Sequence, residues 1–192
     1  MSHAAAPGLS RRLSDLDPRA AAWLATLLAA ATIGGAWVFE FFGFAPCDLC
    51  LQQRWAYYIG VPLALAAALT IPVRPKIGGW LLALVALVFA GSAVFGAWHA
   101  GVEWGFWPGP AGCTGSATQK AADMNDFMRQ MQATRLVRCD EVALRILGLS
   151  LAGWNAVISA GVCVLAALGA HASLQSPSTA PTQAPAAAEQ LR

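Results

Sequence analysis

The chain has 192 residues, 57% of them hydrophobic and 11% charged, with a formal net charge of +2. A soluble domain carries roughly 25% charged residues, so the composition excludes an ordinary soluble fold. The near-neutral balance excludes a basic nucleic-acid-binding surface, and one small membrane domain remains.

Crossing the bilayer core takes about 20 mostly apolar residues. Four stretches qualify, residues 20–42, 51–71, 78–99 and 149–170. Backbone in lipid must satisfy its own hydrogen bonds, so all four are predicted helices of an all-α, polytopic four-helix membrane bundle. Residues 1–19 form a polar lead. The first span is longer than a signal-peptide core of about 7–15 residues. It also ends in Phe39, Glu40, Phe41 and Phe42 rather than in small residues, so it reads as a retained helix.

Residues 43–50 form a tight turn on one side of the membrane. Residues 72–77 form a second turn on the other side, held by Pro72 and Pro75. The loop 100–148 is long and polar. Within it Ser116 and Gln119 fit a capping box, followed by Ala121, Met124, Phe127, Met128 and Met131 at helical spacing. That spacing predicts a short amphipathic helix, packed on the spans or laid on the bilayer surface in preference to serving as an adaptable methionine-rich partner surface. The tail 171–192 is rich in Ala, Pro, Ser, Thr and Gln and is expected to be disordered.

The tryptophans mark the span ends. Trp23, Trp37, Trp55, Trp80, Trp98 and Trp154 all lie near them, and Trp104 and Trp107 follow the third span. This is the interfacial belt that tryptophan favours. Arg19, Arg74 and Lys76 sit in short segments against span ends, where basic residues orient a chain with that side inward. Both termini and the turn 72–77 are therefore expected in the cytoplasm. Cys47, Cys50, Cys113 and Cys139 then face outward, where disulfides persist.

Those cysteines carry the chemistry. Cys47 and Cys50 form a Cys-x-x-Cys pair at the mouth of the second span, and Cys113 and Cys139 bracket the amphipathic segment. A thiolate at Cys50 would gain from the helix N-terminus and from Arg54 one turn on. Arg54 can also polarise the carbonyl oxygen of a lipid-soluble acceptor. Arg138 beside Cys139 favours a thiolate there, opposed by Asp140 and Glu141. Cys163, among Val, Ala and Leu, reads as a small core residue. Ser92 and Gly96 read as close-packing positions without further role. Glu40 reads as an interfacial residue, and no residue is assigned as a metal ligand.

The run Pro46-Cys47-Asp48-Leu49-Cys50-Leu51-Gln52-Gln53-Arg54 resembles the signature of the bacterial disulfide bond formation protein B (DsbB) family. The second cysteine pair and Gly148-Leu149-Ser150-Leu151-Ala152-Gly153-Trp154-Asn155 fit it too. The resemblance covers about residues 20–170. It implies a protein-disulfide oxidoreductase of the bacterial inner membrane. Such an enzyme reoxidises a periplasmic thioredoxin-fold oxidase (DsbA-like) and passes the electrons to a membrane quinone, of ubiquinone type. By the same resemblance Cys113 takes the mixed disulfide with the partner and Cys139 resolves toward Cys47. Cys50 faces the quinone, with Arg54 and His99 beside it. Two other classes compete: a zinc protein ligated by the four thiolates, and a structural membrane protein whose disulfides only staple its loops.

Overall fold

The computed structural model describes residues 17–110, 113, 123–125, 128 and 138–176. Its frame is four long helices: α1 (Pro18–Phe41), α2 (Asp48–Thr70), α3 (Pro75–Glu103) and α4 (Leu151–Gln175). A two-stranded antiparallel hairpin, β1 (Arg145–Ile146) and β2 (Leu149–Ser150), leads into α4.

Local chemistry sets where the helices start. Asp17 accepts from the backbone N–H of Arg19 and Pro18 follows it, so α1 begins with a cap and a residue preset for the first turn. Pro75 likewise occupies the first turn of α3, where Arg74 before it makes no side-chain cap. Ser150 caps α4 by accepting from Gly153 N at 3.1 Å. At the far end of α1, Gly43 takes a positive φ of 91°, which lets the chain turn back toward α2.

The helices pack in a ring, α1 on α2, α2 on α3, α3 on α4 and α4 on α1. Small side chains make this possible. Ala22, Ala25 and Ala29 of α1 meet Ala64 and Ala67 of α2, Leu82 and Val85 of α3, and Ala166 of α4 in one buried cluster. A Cβ on Gly96 would stand 3.0 Å from the backbone nitrogen of Ala156, so α3 and α4 approach as closely as two backbones can. Large apolar side chains point the other way: Leu24, Leu27, Leu87, Val94 and Val164 are exposed. A core of small residues beneath a surface of large apolar ones suits a lipid environment.

By length and composition α1, α3 and α4 can each cross a membrane. Helix α2 is as long, but Asp48, Gln52, Gln53, Arg54, Tyr57 and Tyr58 make its first half polar. The helices run beyond the expected spans. Helix α2 starts at Asp48 rather than near residue 51, α3 runs from Pro75 to Glu103, and α4 continues to Gln175. The expected fourth span began inside what is strand β2. The capping box at Ser116 and Gln119, most of the amphipathic segment 121–131, and the tail beyond residue 176 lie outside the described residues. Of that segment, Met124 and Met128 are described and both are exposed.

Candidate active site

The turn between α1 and α2 brings the first cysteine pair to the head of a helix. Because α2 begins at Asp48, Cys47 is its N-cap, and the Cys47 sulfur accepts from the backbone N–H of Cys50 at 3.2 Å. The Cys50 thiol approaches the same sulfur at 2.9 Å. His99, near the end of α3, places Nε2 3.7 Å from it. The Cys50 hydrogen bond lowers the Cys47 pKa most. With the His99 contact and the Cys50 backbone N–H, it outweighs the penalty of burial and brings Cys47 from 9.0 to about 5. The capping position at the head of the helix thus belongs to Cys47, because the helix begins three residues sooner than the apolar pattern suggested.

Arg54 has a partner that its own motif does not name. Its guanidinium binds Glu40 of α1, with Nη1 2.6 Å from Oε2. Glu40 is thus an ion-pair partner that ties the end of α1 to α2 beside the cysteines. Arg138 has a comparable fate. It forks onto Asp140 at 3.0 and 2.6 Å and lies 3.7 Å from Glu141, so its charge is directed to acids rather than to Cys139.

The second pair is joined as a Cys113–Cys139 disulfide, with Cα atoms 5.4 Å apart. The backbone N–H of Cys139 donates to the carbonyl of Cys113 at 3.0 Å, locking the two strands of loop together. Cys47, Leu49, Cys113 and Cys139 form one buried cluster, with Cys50, Phe95 and Trp98 packed on it. Two cysteine pairs far apart in sequence thus share one apolar pocket.

Beside this cluster lies a cavity of about 380 Å³ between α1, α2, the head of α4 and the hairpin segment. Cys47, Cys50, Gln53, Arg54, Tyr57, Glu103, Arg138, Glu141 and Asn155 are among its polar groups, and Ile33, Ala36, Phe39, Leu144 and Ile158 are among its apolar walls. Among the described residues the wall does not include His99, which is buried behind Cys47 and Gln53.

His99 is fixed by a polar chain that the sequence reading missed. Gln53 Nε2 lies 2.7 Å from His99 Nδ1, and Asn155 Nδ2 donates to Gln53 Oε1 at 2.6 Å. The Tyr57 hydroxyl donates to Asn155 Oδ1 at 2.6 Å. Ser159 lies 3.1 Å from Tyr57 Oη, and Ser92 lies 3.0 Å from Ser159. Ser92, read from sequence as a packing position alone, is the far end of this chain. The available signal was Gln53, Tyr57, Asn155 and Ser159 as polar residues inside apolar segments, where they are rarely idle. Glu103 was missed too. It lines the cavity, and its Oε2 is buried without a hydrogen-bond partner, near Ser150, His99, Cys47 and Arg145. Cys163 packs against the main core, as expected of a small apolar residue.

A family model for disulfide bond formation protein DsbB matches residues 18–169. The chain belongs to the DsbB family. Membership makes it a membrane oxidoreductase of disulfide bond formation, which accounts for two cysteine pairs in one cluster at the ends of apolar helices. The chain is also similar to the uncharacterized protein RP370 of Rickettsia prowazekii (strain Madrid E). That relative is 25% identical over 129 residues, spanning 67% of this chain and 72% of the relative. No solved structure matches.

Proposed function

We propose that this DsbB-family protein is a quinone-coupled thiol oxidase that reoxidises a periplasmic DsbA-like oxidase through two cysteine pairs in series. The observation that carries the reading is the shared cluster of Cys47, Cys113 and Cys139, with Cys50 at its edge beside a cavity that also holds Arg54. Helix α2 is taken as a fourth span, since it is 23 residues long and packed between α1 and α3. The protein is placed in the bacterial inner membrane with both termini cytoplasmic. The basic residues of the turn at Arg74 and Lys76 support that orientation.

In this reading a partner thiolate attacks Cys113, forming the mixed disulfide and releasing the Cys139 thiolate. The partner's second thiol closes its own disulfide and frees Cys113. The Cys139 thiolate attacks Cys47 of an oxidised Cys47–Cys50 pair and releases Cys50. Attack on Cys139 by the Cys113 thiolate then re-forms the second disulfide and leaves Cys47 and Cys50 reduced. The three donors at Cys47 stabilise that reduced state, which makes the pair's disulfide a stronger oxidant.

The cavity fits a quinone head group, being largely apolar with a few convergent polar groups and of ligand-pocket size. Cys50, Arg54 and Tyr57 would border a quinone held there, which would supply the acceptor for the two electrons and two protons that the dithiol releases on closing to a disulfide. Arg54 would stand beside it, and its pairing with Glu40 holds the guanidinium at the cavity edge.

The test is quinone reduction followed by absorbance, using purified protein, a reduced thioredoxin-fold oxidase and a soluble quinone. Consumption by the wild type, lost in both Cys50→Ala and Cys113→Ala, is the expected result. Equal consumption by either variant would remove that cysteine pair from the path.

A metal centre is the second reading, favoured by one observation. The ligand atoms of Cys47, Cys50 and His99 lie within 4.8 Å of one another. The joined Cys113–Cys139 pair offers no thiolates, so the four-thiolate version has no support. Metal analysis of the purified, reduced protein separates this reading from the oxidase.

A further inference from the structure

The polar chain behind the cysteines has a direction. Tyr57 has one hydroxyl proton and gives it to Asn155 Oδ1. Ser159 must then donate to Tyr57, and Ser92 to Ser159. With its oxygen accepting, Asn155 turns its amide nitrogen to Gln53 Oε1. Gln53 in turn presents its own amide nitrogen to His99 Nδ1. An amide N–H facing Nδ1 requires that Nδ1 carry no proton. The proton of the neutral imidazole therefore sits on Nε2, which faces the Cys47 sulfur. Each donor points toward Cys47, across side chains from α2, α3 and α4.

Every member of the chain is buried except Asn155, which is half-buried and lines the cavity. Gln53, Tyr57, Ser92, His99 and Ser159 are all shielded from solvent. A neutral histidine in apolar surroundings gains from whichever hydrogen bonds its neighbours offer, so the neighbours choose its tautomer. Second-sphere amides of this kind orient a functional imidazole as surely as its direct contact does.

We propose that Asn155 and Tyr57 are positioning residues that act through Gln53 to hold His99 in the tautomer donating to Cys47, and so set the proton affinity of the Cys47–Cys50 dithiol. The proposal deepens the oxidase reading and rests on it for its purpose. The thiol titration that tests it needs neither partner nor quinone.

Other ionisable groups lie around the cysteines and the cavity. Helix α2 brings Cys50 and Arg54, the latter paired with Glu40 of α1. Helix α3 brings Glu103, and the segment before α4 brings Arg138, Glu141 and Arg145 near the cavity or Glu103. Helix α4 brings only the neutral groups of the chain. Substitutions at positions 57 and 155 leave all these charges in place, so a shifted titration reports the chain itself.

The experiment is alkylation of the reduced, quinone-free protein by iodoacetamide across pH, with the rate at Cys47 read by mass spectrometry. Wild type, His99→Ala, Asn155→Leu, Tyr57→Phe and Ser173→Ala are compared, with thermal unfolding of each. Ser173 is the control. It is a buried hydroxyl of α4 that donates to the Pro75 carbonyl at 2.6 Å, outside the chain. His99→Ala and Asn155→Leu are expected to raise the midpoint by about one pH unit, roughly tenfold in thiolate fraction below it, and Tyr57→Phe by less. Ser173→Ala is expected to lower the unfolding temperature and leave the midpoint unmoved.

A shift with His99→Ala but none with Asn155→Leu or Tyr57→Phe would overturn the proposal, leaving the histidine to act without the chain. No shift with His99→Ala, or an equal shift with Ser173→Ala, would overturn it as well. If the expected shifts appear in a protein that reduces no quinone, the oxidase reading fails while the chain's control of Cys47 stands.

Discussion

The same helices bury two regions of opposite character. Toward the turn at Arg74 and Lys76, the interior is mostly apolar, made of Ala22, Ala25, Ala67, Leu82, Ala166 and Ala170, with the hydroxyls of Thr26 and Ser173 each tied to a backbone carbonyl. Toward the cysteines, the interior holds Gln53, Tyr57, His99, Asn155 and Ser159, joined by hydrogen bonds from 2.6 to 3.1 Å. The apolar region depends on volume, because small side chains let the backbones meet and any void loses contacts on every side. The polar region depends on identity, because each amide or hydroxyl orients the next. A buried polar atom deprived of its partner costs about 1–3 kcal/mol. One region should therefore answer to size and the other to single atoms.

The largest expected effect falls on the polar side. Cys47→Ala removes the sulfur on which three donors converge and should abolish turnover with quinone, while the protein still folds. The counterpart is Leu82→Ala in the apolar region. Leu82 is fully buried and packs near Gly169, 17 residues from His99 along α3, or about 25 Å of helix. Its loss should cost about 2 kcal/mol of stability. That is the lower end of the usual range, because lipid replaces water as the alternative and only the packing part remains. The Cys47 alkylation midpoint should not move. A Leu82→Ala protein with an altered midpoint would mean that the two regions are mechanically coupled and the comparison is false.

How much of this was legible in the sequence follows the same division. Apolar stretches revealed the apolar region well, since its residues need only be apolar and small at helical spacing. The cysteine pairs were legible from their motif, and the two pairs do meet in one cluster. Two things were not. The apolar pattern begins at Leu51, but the helix begins at Asp48, because a cysteine N-cap and an acidic first turn extend it into polar sequence. Those three residues transfer the capping position to Cys47. The partners of His99 were hidden because Gln53 and Asn155 lie 102 positions apart, and nothing local in either segment names the other. The hairpin before α4 escaped notice because Leu147-Gly148 is a poor advertisement for a turn.

A smaller effect lies in the pH response of the reduced site. With Cys47 lowered to about 5, its alkylation rate should be level through neutral pH and fall by half near pH 5. The linkage to stability has the same sign. A thiol whose folded pKa is depressed from 9.0 to about 5 contributes stability that grows as pH rises from about 5 toward 9. That contribution shrinks as pH falls and is gone once pH passes below about 5. Chemical denaturation of the reduced protein at pH 8 and pH 5 checks it, the higher pH giving the higher midpoint after correction for the oxidised form. A midpoint of alkylation near 9 would place Cys47 among ordinary thiols and leave the polar region without its electrostatic purpose.

The smallest effect concerns the hairpin that joins the two regions' chemistry to α4. Leu147 and Gly148 have φ values of 52° and 84°, so both central residues of the turn are left-handed. Such a turn matches the twist of the flanking strands and suits Asn or Gly at its first central position, whereas Leu carries a steric penalty there. Leu147 is 88% exposed, so no burial within the chain offsets that penalty. The turn nonetheless has work to do. It pairs Arg145 with Ser150, and Ile146 O accepts from Trp154 Nε1 at 2.9 Å, which sets the head of α4 over the cavity. Leu147→Gly should therefore stabilise the folded protein by no more than about 1 kcal/mol, with Leu147→Asn close behind, and neither should change the Cys47 midpoint. If either substitution instead lowered turnover with the thioredoxin-fold partner while stability rose, the exposed leucine would be serving a contact outside this chain. The strain would then be retained for that contact rather than tolerated.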